Sequence, residues 1–98
     1  MRLTVKRIPW YFSWKGLLGS KPEMVLLRTR FGIHTFGMRY PIDVVIVDKN
    51  CIVQKTRESL LPNRFFFWNP RYFFVLELPK GTIKKKRLLK GQRITLVD

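Results

Sequence analysis

Short blocks of apolar residues, many of them alternating with polar ones, run along most of this sequence, and turn-forming residues separate them. The clearest pattern occupies residues 36–53, near the middle. Residues 42–47 form a β-branched run, Ile-Asp-Val-Val-Ile-Val, of the kind that packs well on a pleated surface. Alternation places Ile42, Val44 and Ile46 on one face and Asp43, Val45 and Val47 on the other. Both faces are mostly apolar, which predicts a central strand covered on both sides. Pro41, which cannot donate to a ladder, marks its start. Asp48, Lys49 and Asn50 predict a tight turn, with Asn50 the residue suited to a left-handed backbone. Residues 51–53 begin the return strand, which is expected to fray into the polar residues 54–57.

The remaining elements follow from the same reading. Residues 2–7 alternate and predict a half-buried strand with Leu3 and Val5 inward. Pro9 stops it, and Trp10 and Trp14, four apart, predict a short helix. Residues 16–22 read as a glycine-bounded turn. Residues 23–30 and 33–36 predict two more strands. Residues 58–70, with Pro62 and Pro70, predict an irregular connection. Residues 72–78 read as a strand with Tyr72, Phe74, Leu76 and Leu78 on one face. Thr82 suits the cap of a helix through residue 89, and Gly91 a left-handed end to it. Residues 93–97 predict a last strand, with Ile94 and Leu96 inward. Together these predict one mainly β domain over residues 1–98, a compact β-sandwich or barrel of about six to seven short strands with one or two short helices.

Composition changes this picture in three ways. A hydrophobic fraction of 46% argues for a folded chain rather than a disordered one. The single cysteine, Cys51, excludes an internal disulfide and fits a reducing compartment. With no secretory signal or apolar membrane-length stretch, a cytoplasmic protein is expected. The net charge of +14 is extreme for 98 residues and points to polyanionic partners such as nucleic acid; a basic host proteome is the plainer explanation.

Phe36-Gly37-Met38-Arg39, followed by Pro41-Ile42-Asp43-Val44 and by Asp48, resembles the centre of the domain-of-unknown-function family numbered 192. Gly16-Leu17-Leu18 is similar to that family's Gly-Leu-Met helix end. Residues 75–81 with 89–94 resemble its closing strand, turns and final strand. The resemblance implies a compact β domain of sandwich or barrel type and no established activity. The chain departs from the family pattern at Gly37, where Trp is usual, at Arg39 in place of Lys, and at Gln92 in place of Asp. The connection between residues 56 and 72 also lacks a Cys-containing segment that many members carry.

Two candidate sites stand beside plainer explanations. Lys84, Lys85, Lys86 and Arg87 form the densest positive cluster, either a solvated helix face or a phosphate contact. Arg64, Trp68 and Arg71 flank and end an aromatic run; cations beside rings grip single strands, whereas rings under a long loop simply fill a core. These seven residues are the nucleic-acid candidates. Asp43 and Glu77 each sit within an apolar strand, where a carboxylate is costly unless paired or protonated. If their strands are neighbours, the two can face one ligand or acid/base pocket with His34, Met38 and Arg39 nearby; the plainer explanation is that arginines or loop N–H groups satisfy each and they pin the fold. His34 with Asp43 and a serine names a triad, but no nucleophile-elbow pattern surrounds any serine. One His and one Cys do not make a metal site, and no cofactor is implied. The expectation is a non-enzymatic domain that binds an anionic polymer such as nucleic acid, with a small-ligand or carbohydrate-binding domain built around Asp43 and Glu77 as the alternative.

Overall fold

The structure is a computed structural model that describes residues 2–4, 6–7, 24–29, 32–36 and 38–97. The expected helix with Trp10 and Trp14 and the turn at residues 16–22 lie outside them. The described elements, in chain order, are β1 (Arg2–Thr4), β2 (Lys6–Arg7), β3 (Val25–Arg28), β4 (Gly32–His34), β5 (Ile42–Val47), β6 (Val53–Leu60), β7 (Phe65–Phe67), β8 (Phe74–Pro79), α1 (Thr82–Lys86) and β9 (Thr95–Val97). Five strands form the central sheet in the order β2-β3-β8-β5-β6. Two ribbons complete the fold: β1 pairs with β9, parallel, and β4 pairs with β7, antiparallel.

The architecture is mainly β, layered like a sandwich and not closed into a barrel. As its pattern requires, β5 is buried along its whole length and paired on both edges, with β6 and β8. Its two faces feed two separate cores. Val45 and Val47 pack with Leu76, Leu78, Ile83, Leu88 and Ile94, so α1 and the C-terminal segment cover that face. Ile42, Val44 and Ile46 pack with Val25, Leu27, Val75, Phe66 and Trp68, so the β4–β7 ribbon and its exit cover the other.

Several local expectations give way to tertiary pairing. The return strand does not fray at residue 54; β6 runs on to Leu60, because β5 supplies partners that far, with irregularities in register at both ends. The connection after it contains a strand, β7, stabilised by β4. At the central turn the left-handed residue is Cys51 (φ 61°), not Asn50. The Asp48 carboxylate closes that turn, accepting from the N–H groups of Asn50 (2.8 Å) and Ile52 (3.0 Å) and from Gln54 Nε2 (2.9 Å). The bond from the Ile52 N–H is the largest of the effects that hold Asp48 below its ordinary pKa. The C-terminal helix ends after Lys86 with Arg87 left-handed; Gly91 (φ 90°) serves a later turn, in which Gln92 Oε1 accepts from the Leu89 N–H. Thr82 does not cap the helix; its hydroxyl donates to the Pro79 carbonyl (2.7 Å).

Asp43, fully buried, does the capping instead. One carboxylate oxygen accepts from the Ser59 N–H (2.9 Å), where β6 bulges with a left-handed backbone. The other accepts from the N–H groups of Gly81 (3.0 Å) and Ile83 (2.9 Å) at the start of α1. Free N–H groups at a helix start need acceptors, and here the acceptor comes from a strand about forty residues away in sequence. Glu77, 4% exposed, has no comparable arrangement: burial alone pushes its carboxyl up to about 7.

Two outcomes follow. Asp43→Asn presents an NH₂ group to at least one buried N–H and is expected to destabilise the fold by about 3 kcal/mol in urea unfolding; a loss under about 1 kcal/mol would show that the three bonds matter little. Glu77 has a folded pKa raised above the ordinary 4.5, so its contribution is fully present below that value and is lost as pH rises through about 7. Stability is expected to fall by roughly 2 to 3 kcal/mol between about pH 5 and 8, and Glu77→Gln to flatten the profile. An equally steep fall in the variant would assign the effect to other groups.

Candidate functional site

The most distinctive surface is the outer face of the β4–β7 ribbon. The pairing Gly32↔Phe67, Ile33↔Phe66 and His34↔Phe65 fixes which side chains point where. Alternation sends Ile33 and Phe66 inward onto the core and leaves His34, Phe65 and Phe67 outward. Phe36, just beyond β4, joins them. The rings form a continuous row: His34 to Phe36 at 5.3 Å between centroids, Phe36 to Phe65 at 4.9 Å edge-on, and Phe65 to Phe67 at 5.7 Å nearly parallel. Phe36, Phe65 and Phe67 are 43%, 60% and 61% exposed, high for phenylalanine.

Local chemistry holds this face in place. Gly32 leaves room for the Phe67 ring: a Cβ at position 32 would stand 2.5 Å from Phe67 Cδ1 and 2.7 Å from the Phe66 carbonyl oxygen. Lys55 on β6 donates to the Phe67 carbonyl (3.1 Å) and lies 4.9 Å from the Phe66 ring centroid. Thr35, 1% exposed, ties the end of β4 to the loop before β7. Its hydroxyl donates to the Leu61 carbonyl (2.7 Å) and accepts from the Arg64 N–H (2.9 Å). Arg64 itself is exposed beside the row.

The sequence-derived nucleic-acid residues do not come together as one patch. Trp68 is 7% exposed and its Nε1 donates to the Tyr72 carbonyl (2.7 Å), so it is a core ring and not a stacking surface. The strand alternation that exposes Phe65 and Phe67 is what turns it inward. Lys84, Lys85 and Arg87 are exposed and Lys86 half-exposed, but α1 packs on the Val45 face of the central sheet, so this cluster and the ring row lie on opposite sides of that sheet. Arg71 lies elsewhere, on the lining of a cavity beside the turn at residues 48–50.

The pocket candidates separate as well. β5 and β8 are neighbours, but the register pairs Asp43 with Leu78 and Val44 with Glu77. Residues opposite one another share a face, so the two carboxylates point to opposite faces of the sheet and form no common pocket. Met38 is buried in the core on the Val44 side, Arg39 is exposed in a bend, and His34 belongs to the ring row. His34 and Asp43 therefore lie on different sides of the central sheet, and Asp43 is occupied by backbone N–H groups, which rules out a triad of His34, Asp43 and Ser59. Sequence reasoning missed Phe36 as a surface residue and Thr35 as an anchor, and it chose Trp68 rather than Phe65 and Phe67 as the exposed ring of the aromatic run. The signal for Phe65 and Phe67 was present, since an extended three-Phe run exposes at least one ring; nothing local marked Thr35, whose partners are 26 and 29 residues away.

A cavity of about 420 Å³ opens at the far end of the β5–β6 hairpin. The Val47↔Phe74 pairing brings the Asp48–Asn50 turn next to the start of β8. Asp48 and Lys49 line one side, and Arg71, Tyr72, Phe73 and Phe74 the other.

Comparison with known proteins agrees with this layered fold. Two solved structures are similar. One is that of a proposed transcription regulator from Sinorhizobium meliloti 1021, at a TM-score of 0.75 and 19% identity, covering 91% of this chain and 78% of that one. The other is that of a protein of unknown function from Novosphingobium aromaticivorans DSM 12444, at a TM-score of 0.74 and 15% identity, covering 92% of this chain and 71% of that one. At these identities the likeness speaks to the fold. No curated protein matches the sequence. The profile of DUF192, described as an uncharacterized conserved family (ACR), matches residues 13–96, and the chain belongs to that family.

Proposed function

We propose that this domain is a non-enzymatic binder of single-stranded nucleic acid, with the ring row of the β4–β7 ribbon as its stacking platform. The observation that carries this reading is the exposure of three phenylalanines and a histidine in one continuous row on a strand pair. Exposing such rings to water is unfavourable, and in a chain of +14 the ligand they suit is one with flat faces and negative charge. Bases stack on the rings, and phosphates are drawn by Arg64 beside the row and by the general positive field. Stacking is tolerant of sequence, since every base has a π face, so little sequence preference is expected. The cluster at Lys84, Lys85, Lys86 and Arg87, on the other side of the sheet, supplies long-range attraction and contacts to a chain that wraps the domain.

The two contributions separate in a titration into labelled single-stranded RNA at low and at physiological salt. The wild-type chain is expected to retain binding at physiological salt. Joint replacement Phe65→Ala and Phe67→Ala is expected to weaken it by roughly tenfold or more while the salt slope persists. Lys85→Glu with Lys86→Glu is expected to flatten the salt slope by about two. Wild-type binding that disappears at physiological salt, or a phenylalanine pair that binds like wild type, would overturn the stacking platform.

A further inference from the structure

The cavity at the hairpin end carries a second site, independent of the ring row. Its two sides differ in chemistry. Tyr72, Phe73 and Phe74 line one side, Tyr72 packed toward the Val44-side core and Phe74 toward the Val45-side core, with Phe73 and Phe74 in contact at 4.7 Å between ring centroids. Arg28 stands over the Phe73 ring, 5.1 Å from its centroid, from a neighbouring strand. Lys49 and Arg71, both exposed, contribute a cation from each side. Among the described residues neither side chain forms a salt bridge or hydrogen bond.

Asp48 is the one carboxylate on the lining, and it does not cancel those cations by pairing with them. Both of its oxygens face the turn, where they accept from Asn50, Ile52 and Gln54. These bonds tie the turn on one side, and on the other the Val47↔Phe74 pairing places the start of β8 beside it. A volume of about 420 Å³ lies within the range of small-molecule sites, which combine apolar and aromatic walls with a few placed polar groups.

We infer that this cavity binds a small planar aromatic compound carrying one anionic group, with the flat body beside the Phe73–Phe74 ring pair and the anion between Lys49 and Arg71. A guanidinium offers a forked donor set suited to carboxylate or phosphate, and Lys49 adds a point charge. A nucleoside monophosphate has this chemistry and serves as the probe.

Isothermal titration of the full chain with adenosine 5′-monophosphate, adenosine and inorganic phosphate tests the site. The monophosphate is expected to bind saturably and roughly tenfold or more tightly than either fragment, because ring and charge are engaged together. Arg71→Ala and Lys49→Ala, at exposed positions with melting temperatures expected to match wild type, should each weaken it severalfold. The joint Phe65→Ala and Phe67→Ala variant should bind the monophosphate as wild type does. Absence of saturable binding, equal affinity for adenosine, or weakening by the Phe65 and Phe67 changes in place of Arg71→Ala would overturn the inference. The last of these would place the ligand on the ring row, so the two sites fail separately.

Discussion

The fold depends on one carboxylate. Asp43 lies in β5, an interior strand of the central sheet, with no exposure to solvent, and its two oxygens accept from three N–H groups on two segments, the bulge of β6 and the start of α1. The Ser59 bond stabilises the bulge that lets β6 follow β5 to its end. The Gly81 and Ile83 bonds fix where the chain leaves β8 and begins α1. That helix has five residues, too few to persist on its own, and its N-cap residue is a left-handed glycine with no side chain to offer. Without Asp43 the buried Ile83 N–H would have no acceptor. The placement of Ile83 and Leu88 over the Val45 face, and hence one of the two cores, follows from that bond.

A sheet with two covered faces keeps its surface functions apart. The aromatic ribbon covers one face, the short basic helix the other, and the hairpin-end cavity opens at a strand terminus. The same separation sets the fates of the two buried carboxylates. Adjacent rows of neighbouring strands point to opposite faces, so Asp43 points toward helix N–H groups and Glu77 points into the Val44 side. One is stabilised by backbone donors, whereas the other is held near neutrality by burial.

Much of the scaffold is legible in the sequence because β5 carries an unambiguous pattern. Six residues with two apolar faces permit only a covered, central strand, and a tight turn after Asp48 permits only an antiparallel return. Strand pairs such as β4–β7 are less legible. Three residues on each side carry little pattern of their own, and the ribbon exists because Ile33 and Phe66 have a core to cover. The aromatic run shows the limit most clearly. Its composition suggests both a core and a surface, and both are present; only the register with β4 decides that Phe66 and Trp68 are inside and Phe65 and Phe67 outside. The carboxylates show it from the other side. Their burial follows from their strands, but whether they meet depends on a register offset of one residue.

Gly32 and Phe67 occupy the same space on the outer face of the ribbon, one by leaving it and the other by filling it. The blocking atoms include a backbone carbonyl, which a neighbouring side chain cannot move aside. The ring at 67 therefore depends on glycine at 32, whereas glycine at 32 answers to the backbone as well as to the ring. Among relatives that keep this ribbon, a large ring at the position of Phe67 should occur with glycine at 32, and because the Phe66 carbonyl fills the same space, glycine should persist at 32 even where residue 67 is small. A side chain at position 32 would then mark a lineage in which the pairing of the ribbon itself has changed, a trace readable in aligned sequences without any structure.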